Sequence, residues 1–522
     1  MLLSWLLIFG ISLDARAETV VISLGDPANV EAGTAIVNTA AGRVEPPLQV
    51  DQWDDGSPGG FRASGFTVGR GEHGKLDATT LPNFHEGVYS GDGVININTD
   101  LFPVLKFTDV HVPADFVIRP VGSRALVLQS LGHVRIDGVI NCSGDDGSNA
   151  SADVTRTPAG GRGRCGGRDG GRGGSSTVVA NAGLTDVAGL EGGAGGSGSA
   201  SEIGKGNGGG GGSGYTLTNQ QATSGKTYAG TLLSNAGAAV ENNFQHIGAG
   251  AGGGGGESYT LGGSAASSGA GGGGGGGYVE IYSVGDVIVN GEISIDGGNG
   301  GNVPSGFGGG AGGGGAAGKL TLFSGGRLDI TGNIHLTGGF GGNADHGSGG
   351  LGGGGRVWAS VRIGSAYSGY TGNFDPTTGG PILEGTVNSV PGTYNLVSKM
   401  VDAQATRVRL RSISASPASG AVTLYVASSD RPFSIGDADW KVASSLGLGE
   451  LGRFIRVRAE VVSASSSTPV VVESFALDLE SVEQTQFDFS SCARVDAPRG
   501  PTGVWFLLLP IFLVRRLRRR HA

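Results

Sequence analysis

Residues 278–297 read YVEIYSVGDVIVNGEISIDG, and apolar and polar side chains alternate along almost the whole stretch. Alternation with a period of two is the pattern of a β-strand, in which successive side chains point to opposite faces. One strand of this length would be unusual, and the glycine or serine that interrupts one face at intervals suits a bend in the chain. The stretch therefore predicts three short strands separated by bends.

Two further stretches repeat this pattern without a gap. Residues 319–338 read KLTLFSGGRLDITGNIHLTG, and residues 125–144 read ALVLQSLGHVRIDGVINCSG. A unit of three short strands cannot bury its own apolar face, whereas stacked units bury a continuous core. The repeat therefore predicts an all-β fold built on a right-handed parallel β-helix or a related solenoid, with an all-β sandwich as the alternative.

Composition and pattern divide the chain into five parts. Glycine contributes 106 of the 522 residues, about three times its usual share, and it lacks the three-residue period of collagen. Glycine runs fill a long insertion, either as flexible loops or as packed extended strands. The predicted parts are a signal peptide (1–17), an N-terminal β-rich region (18–100), a glycine-rich β-solenoid (101–364) with the insertion 145–277, a small β-sandwich (390–480) and a C-terminal sorting tail (492–522).

The N-terminus has the form of an export signal. It reads MLLSWLLIFGISLDARA, an apolar run followed by small residues at Ala15 and Ala17. This order predicts a secretory signal peptide that is cut after Ala17. An uncleaved anchor is the alternative, but the apolar run is short for a membrane span.

The C-terminus combines a cysteine, an apolar run and a basic end. Cys492 precedes a Gly/Pro spacer and the apolar residues 504–514. The basic end consists of Arg515, Arg516, Arg518, Arg519 and Arg520. Basic residues directly after a hydrophobic segment stay on the cytoplasmic side, so we expect the rest of the chain outside the inner membrane. Eleven apolar residues that include Pro510 make a poor permanent transmembrane helix, which favours a transient span that is processed.

This tail resembles the tripartite C-terminal sorting tails of bacterial surface proteins, in particular the cysteine-containing type handled by myxosortase (MYXO-CTERM-like). The matching residues are Cys492, the run from Trp505 to Val514, and the arginines from Arg515 to Arg520. The resemblance implies that an intramembrane sorting protease cuts near Cys492 and that the protein reaches the outer-membrane surface of a Gram-negative bacterium, with lipid on that cysteine. An ordinary tail anchor is the alternative.

The other two cysteines lie near the first repeat. Cys142 occupies an inward position equivalent to Ile295 and Leu336, so its default role is that of a small buried hydrophobic residue. Cys165 could pair with it as a disulfide in an oxidising compartment. The cysteines have no metal-ligand spacing, and we expect neither a metal nor a cofactor.

The charge of the chain argues against nucleic acid as a partner. The formal net charge is −9, and removal of 1–17 does not change it. Removal of 493–522 takes away seven arginines and Asp496, which lowers the charge by six to −15. An acidic exported body would repel phosphates.

The outward positions of the repeat are the candidate positions for a catalytic site. Secreted β-helices include polysaccharide lyases and hydrolases, which need paired carboxylates or a calcium-bound acidic cluster. The outward polar residues are His133, Arg135, Asp137, Asp286, Asp296, Arg327, Asp329 and His335. The short acidic clusters are Asp145–Asp146 and Asp51, Asp54 and Asp55. Scattered outward residues are usually solvated and acidic turns usually make Asx turns, so we predict no catalytic and no metal site.

The sequence thus favours an exported structural or adhesive protein without enzymatic activity. Its expected partners are the membrane, the sorting protease, and a surface polysaccharide or other cell-surface ligand. A surface polysaccharide-active β-helix enzyme is the alternative. A third hypothesis is a carbohydrate-binding module on the predicted sandwich, which would show as sugar affinity retained by residues 390–480 alone. By its strand spacing, Trp440, and the edge pattern of Arg456 and Arg458, the sandwich resembles the accessory modules found next to the anchoring tails of secreted bacterial proteins.

Overall fold

The computed structural model describes residues 17–53, 61–65, 68–77, 93–175, 180, 207–212, 222–226, 234, 249–259, 267–362, 367–370, 373–375, 383–416, 421–445, 449–465 and 469–482. Regular structure in these ranges is β-strand, apart from three single-turn 3-10 helices. The all-β class is therefore confirmed.

Six strands come first in the chain. The hairpin β3–β4 and the antiparallel pair β5–β6 follow two separate strands, β1 and β2. Their bounds are β1 Ala17–Ser23, β2 Val30–Gly33, β3 Ile36–Asn38, β4 Arg43–Glu45, β5 Leu48–Trp53 and β6 Phe61–Gly65.

Eighteen strands then form six consecutive circuits, each of which adds one strand to each of three parallel sheets. We call this region the parallel body. Its strands are β7 Lys75–Leu76, β8 Val94–Asn98, β9 Leu105–Phe107, β10 Asp109–Val112, β11 Val117–Val121, β12 Leu126–Ser130, β13 Val134–Ile136, β14 Val139–Asn141, β15 Tyr278–Ser283, β16 Val287–Val289, β17 Glu292–Ser294, β18 Lys319–Ser324, β19 Leu328–Ile330, β20 Asn333–His335, β21 Arg356–Arg362, β22 Tyr367–Tyr370, β23 Asn373–Asp375 and β24 Leu383–Ser389.

The strand pairing joins equivalent residues of the three quoted stretches. Val134 pairs with Val287, and Val287 pairs with Leu328. Their inward side chains are almost completely buried in one core that all three sheets share. The three parallel sheets lie side by side, an arrangement compatible with the predicted solenoid.

The glycine and serine interruptions have separate physical causes. Gly291 and Gly332 lie at the bend between two sheets, where an added Cβ would collide with the carbonyl oxygen of the preceding circuit's glycine. At the other bend, the buried Ser283 and Ser324 hydroxyls donate hydrogen bonds to Gly132 O and Gly285 O. The bends therefore require small side chains, which is why the apolar series stops there.

The remaining strands belong to an eight-stranded antiparallel sheet. Six of them are β25 Gly392–Ser398, β26 Val401–Ser416, β27 Val422–Ser429, β28 Lys441–Val442, β29 Glu450–Ser463 and β30 Ser474–Ser481. The other two come from the N-terminus, because β1 pairs with β30 and β2 pairs with β25. A segment within 18–100 and a segment within 390–480 therefore share one sheet and one core.

The two parts of the molecule are in direct contact. Leu131 of the parallel body packs in the core of the antiparallel sheet. The backbone N–H of Thr39 donates to Leu131 O at 2.9 Å, and its hydroxyl donates to Thr108 O at 2.8 Å. A second cluster, with Ile36 and Phe323, covers the outer face of one parallel sheet.

The glycine-rich segments are ordered where the structure describes them. In residues 268–277, each backbone N–H donates to a carbonyl at 2.7–3.0 Å, and every third residue donates to the same neighbouring segment. The three acceptor segments are 142–151, 168–174 and 310–316. A period of three residues is that of the polyproline II helix. We therefore call these segments glycine helices: 143–150, 158–163, 168–174, 207–212, 223–226, 249–257, 268–277, 296–303, 308–318, 337–343 and 347–355.

The glycine helix 268–277 is surrounded on all sides. Its carbonyl oxygens accept hydrogen bonds from segments 250–256 and 298–301 and from Gly161, in addition to its three acceptor neighbours. An added Cβ at any residue from 271 to 276 would collide with a neighbouring carbonyl oxygen. Glycine is needed here because backbone packs directly against backbone.

Candidate functional site

The outward polar residues at one bend of the repeat form a column across the circuits. The backbone N–H of Asp286 donates to His133 Nδ1 at 3.1 Å, and that of Arg327 donates to Asp286 Oδ1 at 2.7 Å. One circuit earlier, the N–H of His133 donates to Asp109 Oδ1 at 2.8 Å. Each side chain in the column therefore stabilises the backbone of the next circuit.

Asp137 is the centre of a second outward cluster. It accepts hydrogen bonds from Arg135 Nε at 2.6 Å, from Asn290 Nδ2 at 2.8 Å and from the His111 ring at 2.9 Å. The hydrogen bond from Arg135 is the main reason that the pKa of Asp137 falls to about 2. Asp137 is therefore ionised at neutral pH and has no proton to give. Sequence reasoning missed His111, which pairs with Arg135 in the neighbouring strand.

The other outward candidates are dispersed. Asp296 Oδ1 accepts the backbone N–H of Thr337 at 2.6 Å. Asp329 lies beside Ile288 in the sheet. His335 Nε2 is 4.0 Å from Glu292 Oε2. The structure does not bring the eight candidates into a single site.

A ladder of amides and carboxylates continues along the outer glycine helices. Asp146 and Asn149 each accept the backbone N–H of the residue 153 positions further on, at 2.7 and 2.8 Å. Asn299 and Asn302 accept the N–H of the residue 41 positions further on, both at 2.8 Å. Sequence reasoning missed this ladder, although its three-residue spacing within each segment is visible in the sequence.

A groove of about 510 Å³ lies where the parallel body meets the antiparallel sheet. Its lining includes Arg43, His133, Asp286 and Arg362. Beside it, the fully buried Glu45 pairs with Arg362 Nη1 at 2.5 Å and with Arg43 Nη2 at 2.8 Å. Burial alone would raise the pKa of Glu45, but the two arginines outweigh it and lower the pKa. The groove is therefore polar, and the carboxylate beside it is kept charged.

The acidic clusters that suggested calcium have other partners. Asp145 pairs with Arg164 Nη2 at 2.6 Å, and Asp146 belongs to the ladder. Asp54 and Asp55 lie outside the described residues, and of Asp51 only its strand is described. No group of three histidine, cysteine or acidic side chains that could hold a metal occurs in the described part of the chain.

Cys142 and Cys165 form a disulfide, with their Cα atoms 5.6 Å apart. Both are fully buried in the core of the parallel body, in the same cluster as Ile295 and Leu336. The backbone N–H of Tyr278 donates to Cys165 O at 2.9 Å. The disulfide thus joins the residue that follows β14 to the insertion, and the hydrogen bond from Tyr278 joins the same part of the insertion to β15.

The residues expected to direct export are described only in part. Ala15, Cys492 and the arginines Arg515, Arg516, Arg518, Arg519 and Arg520 lie outside the described residues. Ala17 begins β1 and pairs with Glu480 of β30. Ile22 and Leu24, just beyond it, are buried in the core of the antiparallel sheet. A cut after Ala17 would therefore leave almost all of β1 on the mature chain.

Trp440, Arg456 and Arg458, which stood out in the sequence, are close together. The Arg458 guanidinium lies 5.5 Å from the centre of the Trp440 ring. Arg456 lies two residues earlier on the same strand and stacks on Phe433. The antiparallel sheet therefore carries an aromatic and basic cluster.

Within the residues that the structure describes, no helix is long and apolar enough to cross a membrane. Comparison with family models, with curated proteins and with solved structures finds no match to this chain.

Proposed function

We propose that the chain is an exported, cell-surface structural or adhesive protein without catalytic activity, anchored through its C-terminal tail in the envelope of a Gram-negative bacterium. In this proposal the parallel body is a β-helix, and the antiparallel sheet belongs to a β-sandwich next to the membrane. The partners are the membrane, a sorting protease that acts near Cys492, and a surface polysaccharide or other cell-surface ligand.

The observation that carries the proposal is the use made of the repeated polar side chains. His133, Asp286 and Asn299 accept a backbone N–H from the next circuit, as do Asp146 and Asn302. A catalytic site needs polar groups that converge on a substrate, whereas these groups are engaged along the stacking direction. This arrangement favours a role in building an extended surface.

The electrostatics of the carboxyl groups point the same way. Glycoside hydrolysis needs a general acid with a raised pKa. Wherever the pKa of a carboxyl group in the described ranges departs from its ordinary value, it is lowered, as in Glu45, Asp137 and Asp402. These groups are ionised and suit ion pairing better than proton donation.

The position of the chain ends suits an anchor on one side. Strand β30 is the last described strand before the tail, and its end pairs with the start of β1. The expected mature N-terminus and the C-terminal end of β30 are therefore neighbours in the antiparallel sheet. A tail that holds this sheet near the membrane leaves the parallel body free to face outward.

The polar groove is the observation that supports the alternative, a surface polysaccharide-active enzyme. It combines His133 and Asp286 with two arginines in one open cleft. An enzyme at this groove would shorten an acidic polysaccharide, and the activity would fall in an Asp286→Asn variant. Unchanged chain length after prolonged incubation with several acidic polysaccharides favours the structural role.

A Cys492→Ala variant tests the sorting step. We expect this variant to fold normally and to be lost from the cell surface, because the processing site is missing. The matched control is Ser491→Ala, which we expect to leave display unchanged. Labelling of intact cells with an antibody, together with envelope fractionation, measures the difference. Normal surface display of Cys492→Ala would contradict the proposal.

A further inference from the structure

An aromatic and basic surface lies on the outer side of the antiparallel sheet. Tyr425 of β27 pairs with Arg458 of β29, and Tyr425 also pairs with Val442 of β28. Trp440 lies just before β28 and reaches the same guanidinium. We call the surface made by Tyr425, Trp440 and Arg458 the aromatic–arginine face.

The guanidinium of Arg458 lies close to two aromatic rings. Its carbon lies 4.3 Å from the centre of the Tyr425 ring and 5.5 Å from the centre of the Trp440 ring. The Tyr425 hydroxyl donates to Glu460 Oε2 at 3.1 Å, which fixes the ring. A cation over aromatic faces is stabilised by the ring electrons, and the rings restrict how the arginine can turn.

Two arginines on the same strand provide an internal comparison. Arg453 is stacked on Phe454, but it also makes two hydrogen bonds to Asp402, at 2.7 and 2.8 Å. Arg456 is stacked on Phe433 and pairs with Glu31. In the part of the chain that the structure describes, the Arg458 guanidinium makes neither a hydrogen bond nor an ion pair, and its Nε is buried without a partner.

A fixed guanidinium without a protein partner is suited to an anion. Its two amino groups match the two oxygens of a carboxylate, and such a bidentate pair is stronger and more directional than a bond to lysine. The ring surfaces of Tyr425 and Trp440 offer an apolar, half-buried platform beside it. A sugar ring that carries a carboxylate matches both: its face of C–H groups can pack on the rings, and its two carboxylate oxygens can accept from the guanidinium.

We propose that the aromatic–arginine face binds an acidic polysaccharide, with a uronate carboxylate on Arg458 and the sugar ring against Trp440 and Tyr425. In proposing this ligand we rely on the proposed adhesive function, whose ligand class it names. The face supplies one unpaired cation on a chain whose net charge is −9. Nucleic acid or an anionic membrane would require several cations, whereas one uronate in a repeating unit requires one.

The test uses the full mature chain, because β1 and β2 complete the sheet and Glu31 of β2 contacts Arg456. The probes are defined oligomers of galacturonate, alginate and hyaluronate, methyl-esterified galacturonate that lacks the charge, a DNA duplex and anionic phospholipid vesicles. Calorimetry measures the affinity of the wild type and of Arg458→Gln, Arg458→Lys and Trp440→Ala. The control is Arg453→Gln, a more exposed stacked arginine that has its own carboxylate partner.

We expect at least one oligouronate to bind, with affinity at least about tenfold weaker for Arg458→Gln and Trp440→Ala and within about twofold of wild type for Arg453→Gln. Arg458→Lys keeps the positive charge but loses the bidentate guanidinium, so its affinity should lie between those of the wild type and Arg458→Gln. The proposal is overturned if no oligouronate binds, if the esterified oligomer binds equally well, or if DNA or anionic vesicles bind instead. Because the assay uses purified protein, failure of binding and failure of surface display are measured separately.

Discussion

A single methyl group at the centre of the glycine helices should disrupt their packing. Gly272 lies in the segment 268–277, and a Cβ added there would be 2.0 Å from Gly253 O. Ordinary contact begins at about 3.4 Å, so the two segments would have to separate by about 1.4 Å. The neighbouring segment cannot adjust by a side-chain rotation, because the obstacle is its backbone.

The cost follows from the hydrogen bonds between these two segments. Gly250, Gly253 and Gly256 donate their N–H groups to carbonyls of the segment 268–277 at 2.7–2.8 Å. A separation of this size breaks all three bonds, which at about 1 kcal/mol each amounts to about 3 kcal/mol, before any strain is added. This corresponds to roughly a hundredfold faster exchange of the affected amides.

Hydrogen exchange followed by mass spectrometry reports this loss locally. The Gly272→Ala variant should lose protection in peptides that cover 250–257 and 268–277. The matched control is Gly436→Ala, where the nearest atom to an added Cβ is Ser434 Oγ at 3.8 Å. The reasoning is refuted if Gly272→Ala exchanges as slowly as the control in both segments.

Two further predictions concern buried groups. Burial lowers the pKa of Lys319 to about 8, from an ordinary value of 10.5. The unfolded chain therefore holds this proton over a range in which the folded chain has released it, and the wild type gains roughly 3 kcal/mol as pH rises from about 8 to 10.5. Lys319→Met has no such proton, so its unfolding free energy relative to wild type should be most favourable below pH 8, and this difference should shrink towards pH 10.5. A difference in unfolding free energy that stays constant over this pH range would contradict the lowered pKa of Lys319. Replacing Cys142 and Cys165 together by alanine removes a cross-link that spans 23 residues, which should lower the free energy of unfolding by about 3 kcal/mol. Hydrogen exchange of residues 143–174 should become faster, and Cys492→Ala is the control that should leave it unchanged.

The strands of the parallel body were predictable because their signal is local. Alternation marks each strand, and the small residues at Ser283 and Gly291 mark the bends. The offsets between the quoted stretches then align the circuits, because stacked repeats pair equivalent residues. The long insertion separates the stretch at 125–144 from the next one, but it does not change the strand register, since Val134 still pairs with Val287.

The antiparallel sheet could be anticipated only in part. The strands between 390 and 480 alternate clearly, but nothing in the short segment 17–33 specifies which strands it pairs with. Pairing between residues at opposite ends of a chain depends on three-dimensional complementarity, here the burial of Ile22 and Leu24. For the same reason, the boundary predicted at residue 18 describes a change in the sequence. It does not say where a structural unit begins.

The glycine helices show a different limit. A run such as GGGGGGG at 271–277 can be a loop or a packed helix, and its own residues cannot decide. The outcome depends on six neighbouring segments that satisfy its N–H and C=O groups. The aromatic–arginine face is similar: Trp440 and Arg458 were visible in the sequence, but their contact required the pairing of β27, β28 and β29.

The central claim is that the chain is exported, processed at both ends and held at the cell surface. The most direct test is the intact mass of the native protein extracted from the envelope of the cells that make it. The account predicts a species that begins at Glu18, ends at or near Cys492 and carries any mass added by lipid. A species that keeps the arginine tail would contradict it.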